Sequence, residues 1–255
     1  MSREAQTVHP AFPETADIAT ASEGYAARFG GAVGAWMLAV QERIVAELLP
    51  AVTSVTVLDV GGGHGQLAVP LCRAGYDVTV VGSDERCRER IAEWVAAGRC
   101  RFVVGNLIAL PFPERSFDVA LAFRLLPHCA AWPTLIAELC RVARCMVLVD
   151  YPTRESLNVL APTLFGAKRR LEGNTRRWRL FRHAEVAAEF RKHGYACHAR
   201  QGQFFLPMVL HRVLHCRPLS VRLEALATRL GLTARWGSPV IVRMDRLPDQ
   251  SAGAR

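Results

Sequence analysis

An α/β fold built on a doubly wound parallel sheet is expected from three features of this chain. The run Val55-Thr-Val-Leu-Asp-Val60 is β-branched and apolar, stops in the cluster Gly61-Gly-Gly-His-Gly65, and resumes from Gln66-Leu67 in a helical pattern. That is the signature of a strand, a tight turn and a helix start. Further short apolar runs follow at intervals, separated by helical patterns, as repeated βαβ units require. Finally, 255 residues with 51% hydrophobic content are enough to bury one normal core without a second domain.

Residues 1–20 show no apolar periodicity and contain Pro10 and Pro13, so a flexible arm is expected there. Ser22-Glu23-Gly24-Tyr25 fits a helix start, and Trp36, Val40, Ile44, Val45, Leu48 and Leu49 continue at helical spacing until Pro50. The glycine turn comes next. Gly61, Gly63 and Gly65 permit positive φ and close approach of a ligand, beside the N–H groups of the following helix. Tyr76–Val81 reads as a second strand, Cys100–Gly105 as a third, the segment reaching Ala120 as a fourth and Cys145–Asp150 as a fifth. A helix within Phe181–Tyr195, a strand over Ala196–Leu206 and a last strand over Val240–Arg243 complete the series. Between these last two strands, Val209, Leu210, Val213, Leu214, Val221, Leu223, Leu226 and Leu230 suggest one or two amphipathic helices interrupted at Pro218.

The segment from Asp59 to Gly65 resembles the first motif of class I S-adenosylmethionine (SAM) methyltransferases, an acidic residue followed by G-x-G-x-G. Leu110-Pro-Phe-Pro-Glu-Arg-Ser-Phe-Asp-Val-Ala120 is similar to the methyltransferase pattern leading into the fourth strand, and is the most specific match. Tyr25-Ala-Ala-Arg-Phe29 resembles the Y-x-x-R-F element that many small-molecule methyltransferases place over the cofactor. The resemblance covers residues 20–155 well. It implies a Rossmann-like, seven-stranded sheet with an antiparallel last strand, an N-terminal helical lid and a helical insertion before the last strand. In domain terms, a flexible arm (1–20) precedes a methyltransferase domain (21–247) carrying a basic cap segment (151–182) and a helical insertion (208–238), with a flexible tail (248–255).

The same resemblance implies a cofactor site of Tyr25, Asp59, Gly61, Gly63, Gly65, Ser83, Asp84, Asn106, Leu107 and Arg124. Asp84 stands nineteen positions after Gly65, close to the separation at which an acid meets ribose hydroxyls. In an ungapped match the family's acid falls on Gly82, so the role is shifted, and Ser83 is a rival. Asp59 either contacts the cofactor or orders the glycine loop. Tyr25 lies near the methionine end, or belongs to a helix docking its aromatics on the sheet. His128, just past the fourth strand, is the candidate general base for a hydroxyl acceptor. A histidine packing at a helix start is the plainer account of it.

SAM is thus the expected cofactor, S-adenosylhomocysteine its product, and a small-molecule or lipid-like compound the acceptor, methylated on O, C or N. The rivals are a SAM-binding partner subunit without catalysis and a nicotinamide-dependent oxidoreductase. The latter is disfavoured by Gln66, which stands where a dinucleotide loop has its last glycine. Seven basic residues between Lys168 and Arg182 (Lys168, Arg169, Arg170, Arg176, Arg177, Arg179, Arg182) face only Glu172. They suit an anionic acceptor, a lipid headgroup or a solvated face, and nucleic acid less well because Trp178 and Phe181 are the only interleaved aromatics. Eight cysteines occur without any C-x-x-C, and His211 and His215 at i, i+4 lack a third ligand, so no metal is expected. The polar start and the absence of a 20-residue apolar run point to a cytoplasmic protein without a transmembrane segment. A homodimer interface explains the apolar stripe of the insertion as well as a cap over the acceptor does.

Overall fold

The computed structural model describes residues 12–50, 54–156 and 179–248. The N-terminal region forms α1 (Ala16–Ala21), α2 (Glu23–Ala26) and α3 (Gly31–Leu48). The central segments are β1 (Thr56–Val60), α4 (Ala68–Arg73), β2 (Asp77–Gly82), α5 (Ala92–Ala96), β3 (Arg101–Val104), β4 (Phe117–Ala122), α6 (Trp132–Val142) and β5 (Ala143–Tyr151). Then come α7 (His183–Lys192), β6 (Tyr195–Gly202), α8 (Met208–Leu214), α9 (Arg217–Arg229), α10 (Leu232–Trp236) and β7 (Val240–Arg246). The seven strands pair in the order β3-β2-β1-β4-β5-β7-β6, and β7 runs antiparallel to both of its neighbours.

Both faces of the sheet are covered, which is why its central strands are apolar at successive positions rather than at alternate ones. Leu58, Val60, Ala120 and Val147 pack under Leu135, Ile136 and Leu139 of α6 and under Val186 and Phe190 of α7. Val57, Val80, Val119 and Leu148 face the other way, against Ile44, Val45 and Leu48 of α3 and Leu71 of α4. The Tyr195 hydroxyl ties β6 to the end of α6, donating to the Ala143 carbonyl at 2.8 Å.

Two sequence expectations are corrected. Residues 16–20, the end of the stretch assigned to a flexible arm, form with Ala21 the helix α1, in which Ala16, Asp17, Thr20 and Ala21 are buried. Alanine-rich and held by one buried acid, this helix carries too short a pattern to register as periodic. Pro218 does not interrupt a helix but sits in the first turn of α9, where its missing N–H costs nothing. The break falls at His215, whose φ is 50°, and the insertion contains three helices. The basic cap lies mostly outside the described residues. Of its cluster only Arg179 and Arg182 fall within them, and Arg179 pairs with Glu185 at 3.0 Å.

Candidate cofactor site

The strand order reverses between β1 and β4, and in open α/β sheets the crevice at the carboxyl ends of the strands on either side of such a reversal is the ligand site. The glycine turn fills this position. Gly61 and Gly65 are left-handed, with φ of 73° and 70°, and the Gly61 N–H donates to the Val81 carbonyl at 2.8 Å, closing the turn onto β2. Gly62 has no room for a side chain because the Asp59 carboxylate lies directly against it, and a Cβ on Gly63 would collide with the Cys87 backbone.

Asp59 is fully buried, and neither carboxylate oxygen has a hydrogen-bond partner among the described residues. Burial alone raises its pKa to about 7. His64 accepts from the Gln66 N–H through Nδ1 at 3.1 Å, and its Nε2 is buried and unpartnered among the described residues. Burial first, then the positive charge of Arg124, lower its pKa to about 3, so the ring is neutral.

At the end of β2, Gly82 has little room for a side chain, since a Cβ there would lie 2.8 Å from Cys87 Cβ and 3.0 Å from the Phe102 ring. The next acid, Asp84, caps the following turn. Its Oδ1 accepts from the Arg86 N–H and Nε at 2.9 Å each, and its Oδ2 from Arg86 Nη2 at 3.0 Å. These bonds hold its carboxyl below the usual range. Ser83 is buried, and donates to Asp17 of α1 through its N–H at 2.7 Å and its hydroxyl at 2.5 Å. Cys87 adds a third contact to Asp17 at 3.3 Å. Asp17 therefore pins α1 across the glycine turn and the end of β2. After β3, Asn106 closes an Asx turn onto the Ile108 N–H at 3.1 Å, and Leu107 is buried beside it.

Beyond β4, Arg124 adopts φ 58°. Its N–H donates to Asp150 at the end of β5 at 2.5 Å, Nη2 donates to Gln41 of α3 at 2.7 Å, and Nη1 reaches the Tyr25 hydroxyl at 3.4 Å. The guanidinium carbon stands 4.2 Å above the Phe29 ring, a cation–π contact that draws the Tyr25–Phe29 segment onto the sheet edge. Burial raises the Asp150 pKa, against the charge of Arg124. Arg124 Nε and Gln41 Nε2 are buried and unpartnered among the described residues. His128 lies in the short turn Leu126–His128, its N–H bonded to the Leu125 carbonyl at 3.0 Å.

Tyr25 and Arg124, both singled out from sequence, thus meet directly, and Ser83 and Asp84 flank the turn that Gly61 closes. Sequence reasoning missed Asp17, Gln41 and Asp150. Gln41 had a readable signal, as a polar residue on the apolar stripe of α3; Asp17 had none, because its partners lie 66 or more positions away. His211 and His215 separate, His211 facing Glu224 in the interior and His215 lying exposed. No metal-holding group of three or more His, Cys, Asp or Glu occurs among the described residues.

Residues 57–145 match the family described as "Methyltransferase domain". The chain is 32% identical over 108 residues to the O-methyltransferase rstn1 of Aspergillus nomiae, covering 40% of this chain and 48% of that protein. It is 37% identical over 110 residues to the ubiquinone/menaquinone biosynthesis C-methyltransferase of Methylobacterium nodulans, covering 39% and 42%. The chain thus spans about half the length of the curated relatives it matches. The structure of magnesium protoporphyrin IX methyltransferase from Synechocystis PCC 6803, solved with bound S-adenosylhomocysteine, superposes with a TM-score of 0.61 over 88% of this chain and 93% of that one. At 16% identity, that likeness is one of fold. The family match over residues 57–145 and the strand order of the sheet together mark a methyltransferase domain of the class I kind, whose cofactor is S-adenosylmethionine.

Proposed function

We propose that the protein transfers a methyl group from SAM to a small-molecule or lipid-like acceptor, at O, C or N. The observation that carries this reading is the polarity of the unpartnered buried groups around the turn. Asp59 offers only acceptors when ionised, whereas Arg124 Nε and Gln41 Nε2 offer only donors. A zwitterionic amino acid, with one ammonium and one carboxylate, is the ligand that satisfies both, and the methionine end of SAM is such a group. Unmet, these groups would each cost on the order of 1–3 kcal/mol.

In this reading Asp59 binds the ammonium, Arg124 and Gln41 the carboxylate, and Tyr25 with Phe29 closes the edge against water. Gly61, Gly63 and Gly65 give the close approach. Asp84, still 28% exposed, with Ser83 lines the ribose side, and Asn106 and Leu107 the base. The bound cofactor supplies an activated methyl group, so the chain's task is alignment more than acid–base chemistry. His128 would take the proton from a hydroxyl acceptor. The O- and C-methyltransferase relatives support the acceptor class.

Calorimetric titration with S-adenosylhomocysteine, with NAD in parallel, tests the proposal. Micromolar binding of the former alone, weakened at least about tenfold in both Asp59→Asn and Gln41→Leu, is expected. Preference for NAD, or binding unaffected by both substitutions, would overturn it. An acceptor screen then distinguishes a catalyst from a SAM-binding partner subunit.

A further inference from the structure

Ten large apolar side chains among the described residues are more than a third exposed, and eight of them lie between Leu210 and Trp236, in the insertion formed by α8, α9 and α10. Helix α9 is turned against its own hydrophobicity. It buries Ser220, Glu224 and Ala227 and exposes Leu219 (41%), Leu226 (56%) and, capping its C-terminus, Leu230 (64%). The cause is Glu224, whose carboxylate accepts from the Phe205 and Leu206 N–H groups at 2.8 and 2.9 Å and meets His211 Nε2 at 2.9 Å. This buried polar cluster fixes the roll of the helix, so the leucines cannot rotate inward without leaving these groups unmet.

The charge on the same insertion is one-sided. Residues 208–236 contain Arg212, Arg217, Arg222, Arg229 and Arg235, and their only acid is the buried Glu224. Arg222, Leu226 and Arg229 follow at i, i+4, i+7, which places arginine and leucine on one outward strip of α9. Exposed apolar side chains interleaved with arginine and free of exposed acid are what a helix needs to lie in the interface of an anionic membrane, apolar side chains below the headgroups and guanidinium groups among the phosphates. A second copy of this chain would bring the same arginines against themselves, which disfavours a symmetric pairing on this strip. No helix among the described residues is long and apolar enough to cross a membrane.

We propose that the α8–α10 insertion docks the protein peripherally on anionic lipid bilayers, α9 lying in the interface with Leu219, Leu226 and Leu230 inserted. This is independent of the cofactor reading. The test is co-sedimentation of the full chain with vesicles of phosphatidylcholine containing phosphatidylglycerol and with vesicles of phosphatidylcholine alone, at low and high salt.

Binding at least about tenfold stronger to the anionic vesicles, reduced by salt, is expected. The pairs Leu226→Asp/Leu230→Asp and Arg222→Glu/Arg229→Glu should each abolish it. These positions are exposed, so the variants keep the fold, checked by circular dichroism. Equal binding to both vesicle types, no binding to either, or wild-type binding by both variants would overturn the proposal. So would a concentration-dependent dimer in sedimentation velocity that Leu226→Asp dissociates, which would assign the face to a second copy.

Discussion

Replacing Asp59 tests the cofactor site through protons as well as affinity. With a pKa of about 7, the buried carboxyl is about nine-tenths protonated at pH 6 and about one-tenth at pH 8. An ammonium bound beside it favours the ionised form, so binding of S-adenosylhomocysteine at pH 6 releases about 0.9 proton, and at pH 8 only about 0.1. Calorimetry in two buffers of different ionisation enthalpy reads this release directly, and Asp59→Asn should remove it. Release that does not change between pH 6 and 8, or that persists in the variant, would refute the assignment.

The same group shapes stability. Its folded pKa lies above the unfolded value, so ionisation opposes folding. The cost is absent below pH 3.8, grows as pH rises, and levels off above pH 7 at about 4 kcal/mol. Asp59→Asn should therefore be more stable than the parent at pH 8 while binding cofactor more weakly. His64 acts with the opposite slope. Its folded pKa is depressed, so its contribution is complete above about 6.5 and is lost as pH falls towards 3. Between about 3.8 and 6.5 the two slopes oppose one another, so the variant exposes a slope that the parent hides.

Asp17→Ala leaves the Ser83 N–H and hydroxyl buried without their acceptor, and should cost about 1–3 kcal/mol and speed hydrogen exchange selectively over residues 16–21. Exchange in α1 equal to that of the parent would show that this carboxylate does not anchor the helix. Gly63→Ala drives a Cβ into the Cys87 backbone and should reduce S-adenosylhomocysteine affinity at least about tenfold, whereas Gly75→Ala, with open space but φ of 93°, should cost about 1 kcal/mol of stability and leave affinity unchanged. Glu224→Ala removes the acceptor of two backbone amides and the partner of His211, and should lower the urea-unfolding free energy by about 3 kcal/mol. A loss below about 1 kcal/mol would mean that the roll of α9 is set by something other than this carboxylate.

The central strands and the place of the ligand crevice were legible in the sequence, because both rest on local patterns, whereas the seating of β7 between β5 and β6 is a matter of packing. Apolar runs mark the central strands β1, β2, β4 and β5, and the glycine cluster after β1 can adopt few conformations other than the turn it forms. Tertiary structure decided which polar groups are left unmet and which are spent. Asp84 carries the right charge at the right spacing, yet Arg86 two residues on occupies much of its capacity. A Cβ at Gly82 would meet Cys87 and Phe102, a contact no spacing rule contains. Asp17, Gln41 and Asp150 converge on the site from α1, α3 and the end of β5, segments separated in sequence and brought together only by packing on one sheet edge. The outward leucines of α9 are the plainest case. Their periodicity was legible, but the side they face was set by one buried glutamate that holds the Phe205 and Leu206 amides and His211, groups that an inward roll of the leucines would leave unmet together.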